Sequence, residues 1–226
     1  MELFGLIMSM KFGGLWTTNA FRMTDHYQPI FTKLTSVAGI LGCLILIMGC
    51  VIAPFFVTDY NWVTDTISDL AAGDSEFIMD FALYGFAMGL FATALVAANL
   101  HLGGIMWSVS IVSLTIAAAL VVIIGARNEY GDGDNEGIVV HMYLVYGLGF
   151  LFFIIPLLMA KGIKNLSGPA HLFLIGLACL WIIFAPIFLF MPTSYDGALE
   201  RVLGLIACAI ITTVNFTLIK CARKSE

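Results

Sequence analysis

Six long apolar runs separated by short polar connections organise this chain, at positions 35–57, 76–99, 103–126, 137–160, 168–191 and 197–219. A helix needs about 20 mostly apolar residues to cross a bilayer, and each run meets that length. Their central stretches carry no Lys, Arg, Asp or Glu. A charge at the bilayer centre costs about 2.5–3.5 kcal/mol on insertion scales, so the pattern predicts an all-α polytopic membrane protein, a bundle of six transmembrane helices. The connections Asn99–Gly104 and Lys161–Pro169 read as tight turns rich in Gly and Pro. Those at 58–75, 127–136 and 192–197 are longer, yet none has room for a soluble domain.

Residues 1–34 are apolar and aromatic but interrupted by Lys11, which predicts a helix lying on the membrane surface, anchored by Phe4, Leu6, Phe12 and Trp16. A docking arm for a partner protein is the alternative. Glu2 and the absence of a basic start argue against a cleaved signal. The expected organisation is therefore an interfacial arm at 1–34, a six-helix domain at 35–220 and a short basic tail at 221–226.

Composition agrees with this reading. Of 226 residues 61% are hydrophobic and 11% charged, and the mean hydropathy is +1.00. That is more apolar surface than a soluble domain of this size can hide. Charge adds an orientation. Lys11, Arg22, Lys33, Lys161, Lys164, Lys220, Arg223 and Lys224 lie on the side of the termini, with Arg127 and Arg201 opposite. Positive residues favour the cytoplasm, so both termini are expected there. All the acids except Glu2, Asp25 and Glu226 fall on the outer side. A net charge of −5 without a basic stripe excludes nucleic acid as a partner. None of the five cysteines lies in an outer loop, so no disulfide is expected.

The acid excess directs attention to the outer ends of the helices. In Asp65-Thr-Ile-Ser-Asp69-Leu70, a helical turn would place Asp65 and Asp69 on one face, where they could share a proton, bind a cation or receive an Arg. Thr66-x-x-Asp69 is also a capping-box pattern. Asp80 and Tyr84 lie in the outer half of the second helix, Arg127 closes the third, His141 is one turn into the fourth, and Glu200-Arg201 opens the sixth. Ionisable groups at that depth face the bundle interior and pair with one another. Asp69 with Arg201, and His141 with Glu200 or Asp80, are the expected pairs. Ion pairs that only pin helix ends together are the plainer reading of the same layer. Gly85-x-x-x-Gly89 predicts a close helix–helix approach, Pro156 and Pro186 predict kinks, and Ser110, Ser113, Thr115, Thr212 and Asn215 predict hydrogen bonds between helices.

The Asp-Thr-Ile-Ser-Asp-Leu stretch at 65–70, the His opening the fourth helix at 141 and the Glu-Arg pair at 200–201 resemble the bacterial and archaeal membrane proteins of the "domain of unknown function 998" family. The resemblance spans about 35–220 and implies six helices and an importance for those residues. It brings no reaction. The acidic loop at 127–136 and the N-terminal arm depart from the family's usual pattern.

No complete catalytic constellation is visible. His26, His101 and His171 map to the cytoplasmic side, so His141 cannot find the partners of a three-histidine zinc site. A Ser68/His141 triad with Asp69 or Asp80 is conceivable, although no nucleophile elbow surrounds Ser68. Asp132, Asp134 and Glu136 resemble the start of a calcium loop, but its twelfth position is Tyr143 rather than Glu. No charge lies at the midplane, as coupled transport would need. The sequence therefore predicts an accessory or structural component of a larger membrane assembly. Its expected partners are membrane lipids and other subunits, reached through the arm and the helix faces, and no cofactor is expected. The alternative is a binding or hydrolytic pocket for a lipid headgroup or small polar ligand. In it Arg201 holds an anionic group, His141 acts as acid or base and Asp69 orients one of them.

Overall fold

The computed structural model describes residues 28–71, 75–126, 140–190 and 193–224. Its elements are α1 (Pro29–Ile52), continued by a 3-10 turn at Ala53–Phe56, α2 (Ile67–Ala71), α3 (Glu76–Leu100), α4 (Gly104–Ala126), α5 (Val140–Lys164), α6 (Gly168–Phe190), a 3-10 turn at Thr193–Tyr195, and α7 (Asp196–Lys224). No strand occurs among the described residues. Every helix except α2 is long and apolar enough to cross a membrane, and the protein is an integral membrane protein built as an all-α bundle. Large side chains such as Phe55, Phe77, Met88 and Phe190 stand on its outer surface, where lipid tails solvate them. α1 begins at Pro29, inside the stretch read as part of the arm. Proline in the first turn is pre-set for helix, and Thr32 and Ser36 bury that turn in the bundle.

The helices form a ring. α1 packs on α3 and α7, α3 on α4, α4 on α5, α5 on α6, and α6 on α7. The α1–α3 face is the tightest. A Cβ added to Gly42 would lie 2.7 Å from both the Gly85 carbonyl oxygen and the Gly89 Cα, and one added to Gly89 would lie 3.0 Å from the Gly42 Cα. The Gly85-x-x-x-Gly89 motif thus serves packing within the chain. In lipid, association rests on such close van der Waals approach rather than on a hydrophobic drive.

Polar groups support this seam unevenly. Asn215 on α7 donates to Thr93 Oγ1 on α3 at 2.8 Å, the bond between helices that the sequence predicts. Ser110 and Thr115 instead bond back to Trp107 and Ile111 of their own helix. At the turn between α3 and α4, His101 takes a left-handed conformation (φ 41°) before Gly103 and Gly104 at φ 131° and 67°. Trp107 then donates its indole N–H to the Ala97 carbonyl at 2.8 Å, closing the hairpin.

Candidate functional site

The connection between α1 and α3 folds over one end of the ring and is held there by its own side chains. Asp65 accepts from the Asn61 N–H at 2.9 Å and from the Thr64 hydroxyl at 2.7 Å. Thr66 and Asp69 form a reciprocal cap on α2. The Thr66 N–H and hydroxyl donate to Asp69 Oδ2 at 2.7 and 2.8 Å, and the Asp69 N–H donates to Thr66 Oγ1 at 3.0 Å. This is the capping box the sequence offers, with Asp in place of the usual Glu. It fixes Ser68, one residue before Asp69, on the first turn of α2.

Arg201 joins this connection to α7. Its Nη1 donates to the carbonyl oxygens of Trp62, Asp65 and Gly197 at 3.2, 2.9 and 2.6 Å. Its Nη2 donates to the Tyr60 hydroxyl, which itself donates to the Asp65 carbonyl at 3.0 Å. The guanidinium lies 5.5 Å from the Tyr60 ring centre and 5.1 Å from that of Trp62, within cation–π range. Gly197 is required here, because an added Cβ would overlap the Asp65 carbonyl. Arg201 thus closes the fold of the connection through Nη1 and Nη2, while its Nε is buried with no hydrogen-bond partner among the described residues.

Next to it, Glu200 Oε2 accepts the Ile67 N–H at 2.5 Å. Ser68 Oγ stands 3.5 Å from Glu200 Oε1 and 3.5 Å from His141 Nε2. Three side chains from α2, α5 and α7 therefore meet at one hydroxyl. His141 is 7% exposed, and its Nδ1 is buried with no hydrogen-bond partner among the described residues. No hydrogen bond joins Asp80 to the cluster. Its Oδ1 is buried without a hydrogen-bond partner among the described residues, and Tyr84 sits beside Gly125 at the bundle surface. Arg127, Asp132, Asp134 and Glu136 lie outside the described residues.

Below the Ser68 hydroxyl opens a cavity of about 390 Å³. Each of the six spanning helices contributes to its walls, which are mostly apolar, with Phe86, Phe152 and Trp181 among them, while Ser68 and Glu200 lie at its polar end. Along α7 it extends from Glu200 to Ala207, about 10 Å at 1.5 Å per residue. The Phe152 and Trp181 rings lie 5.3 Å apart, tilted by 37°, and the Trp181 indole N–H donates to the Gly149 carbonyl at 2.8 Å, so the α5–α6 wall is pinned at that level. Nearer the polar end the same wall includes Tyr146, Phe150, Ile182 and Leu189, all exposed on the lipid-facing surface.

A family model described as "Protein of unknown function (DUF998)" matches residues 40–217. The chain belongs to the DUF998 family. The match takes in the Asp65–Leu70 stretch, His141 and the Glu200–Arg201 pair, which the structure gathers at one end of the bundle. No curated protein and no solved structure matches the chain. For this DUF998 protein the sequence passed over Tyr60, Trp62 and Gly197, which complete the Arg201 clamp. A signal was present, since an Arg beside a membrane interface takes aromatic faces as partners, and Tyr60 and Trp62 lie in the one connection that carries the acidic motif.

Proposed function

We propose that this protein binds a membrane amphiphile, with the apolar chain in the cavity and the polar end at Ser68, Glu200 and His141. The observation that carries this reading is the cavity itself: apolar walls ending at half-buried Ser68 and Glu200, with buried His141 beside Ser68, in a protein whose surroundings are lipid. Pockets for small molecules take this form, with apolar lining and a few polar groups that fix orientation. The exposed residues of the α5–α6 wall support entry from the lipid side. The charge distribution supports placing the polar end in the outer leaflet.

Two parts of the sequence reading change weight. Arg201 is a poor anion receptor, because its Nη1 and Nη2 already meet carbonyls and the Tyr60 hydroxyl and only its buried Nε has no hydrogen-bond partner among the described residues, and the polar contacts fall to Ser68, Glu200 and His141. An accessory role in a larger assembly has less support than a ligand, since a polar-ended cavity serves no purpose in packing alone.

Native mass spectrometry after mild detergent extraction tests the proposal. A retained lipid-sized adduct is expected in the wild type and is lost in Gly204→Leu, which fills the cavity at a position where an added Cβ meets nothing closer than Ile67 Cδ1 at 4.0 Å. A folded wild type without any adduct overturns the pocket, and a protein subunit retained in its place would restore the accessory reading.

A further inference from the structure

We infer that Ser68 is a nucleophile toward the ester carbonyl of an acyl lipid held in the cavity, an inference that rests on the pocket reading above. The Thr66–Asp69 cap locks the first turn of α2, and Glu200 holds the Ile67 N–H, so the Ser68 hydroxyl has a fixed position at the polar end of the cavity. An amphiphile with its chain among Phe86, Phe152 and Trp181 presents the first carbonyl of that chain to this hydroxyl.

The second observation is the base. His141 Nε2 lies 3.5 Å from Ser68 Oγ, and hydrogen bonds of this kind are commonly long before substrate binds. His141 is buried and reaches Ser68 from a different helix. Its Nδ1 meets no carboxylate among the described residues, so the arrangement is a Ser–His pair, with Glu200 on the serine side rather than behind the imidazole. In the first step Ser68 Oγ bonds to the acyl carbon while its proton passes to His141 Nε2. The ester C–O bond then breaks, and the leaving alcohol takes that proton. In the second step water adds to the acyl-serine, again losing a proton to His141, and the fatty acid departs as Ser68 recovers its hydrogen. No oxidant, reductant or metal is needed. A pair without an acid behind the histidine gives slow turnover, so trapping of the serine is a better readout than steady-state rate.

The experiment uses the full chain in mild detergent with two fluorophosphonate probes, one bearing a long alkyl chain and one an ethyl group. Their reaction with a serine forms an O–P bond and releases fluoride. Peptide mass spectrometry is expected to find the long-chain adduct on Ser68 in the wild type. His141→Gln should label about 100-fold more slowly or worse, with its melting temperature checked. Gly204→Leu leaves the Ser–His pair in place and fills the cavity. It should lower labelling by the long-chain probe by a much larger factor than labelling by the ethyl probe. Absence of an adduct on Ser68 in a folded wild type overturns the inference, as does equal labelling of His141→Gln. If that unlabelled protein still carries a lipid adduct, the nucleophile fails and the pocket stands; if it carries none, both fail.

Discussion

The two sides of the ring are built on opposite terms. On the α1–α3–α7 side, glycines bring backbones into contact, and over half of the α3 and α7 spans is buried in the bundle, at 56% each. On the α5–α6 side the corresponding figures are 28% and 22%, aromatic and branched side chains dominate, and the cavity intervenes. Both sides are strongly apolar and overlap in hydropathy, so hydrophobicity does not separate them. Residue size does. Where Gly42, Gly85 and Gly89 coincide, helices lock; where Gly149 meets nothing within contact distance, space remains. The firm side provides the stability that lets the loose side keep an opening, in the usual trade between packing and function.

Paired substitutions test that contrast. The largest effect is expected from Gly42→Ala, since the new methyl meets backbone that cannot yield. A loss of about 3 kcal/mol, read as a lower melting temperature in detergent, fits the upper range for overpacking. Arg201→Ala should cost about 2 kcal/mol, because it strands several carbonyl acceptors at once. Arg201→Lys should recover little of this, since an ammonium cannot span the same fork of acceptors. Removal of the α2 cap by Thr66→Ala should cost about 1 kcal/mol. The smallest effect, with the opposite sign, is expected at Gly149→Ala, which meets open space and gains about 0.5 kcal/mol of helix propensity. If Gly149→Ala destabilises as strongly as Gly42→Ala, the two sides are packed alike and the contrast collapses.

The sequence resolved these features to different depths. Helix number was legible because a spanning helix is a run of adequate length, a property of one dimension, whereas limits were less so, α1 starting at Pro29 and α7 running on to Lys224. The role of Asp69 was legible because Thr66-x-x-Asp69 is a local pattern with a local answer. The partners of Arg201 were not, since most are main-chain carbonyls, and any residue type supplies one. The cavity was also beyond reach, because it arises from what is missing opposite Gly149, and hydrophobic periodicity does not record absent volume. Asp80 illustrates the remaining limit. It matches the other acids in type and depth, yet its helix face keeps it out of the Ser68 cluster.

The bonds that tie the α1–α3 connection to α7 join residues far apart in the chain, 133 positions in the case of Ile67 and Glu200 and 139 for Trp62 and Arg201. At ribosomal rates of about 5–20 residues per second, Ser68 is made on the order of ten seconds before its partner glutamate exists. By its end five spans stand without the clasp, and the groove that becomes the cavity has no α7 wall. Entry of the last helix then completes the site, so a chain ending before residue 200 holds most of the pocket's lining but neither Glu200 nor the α7 wall.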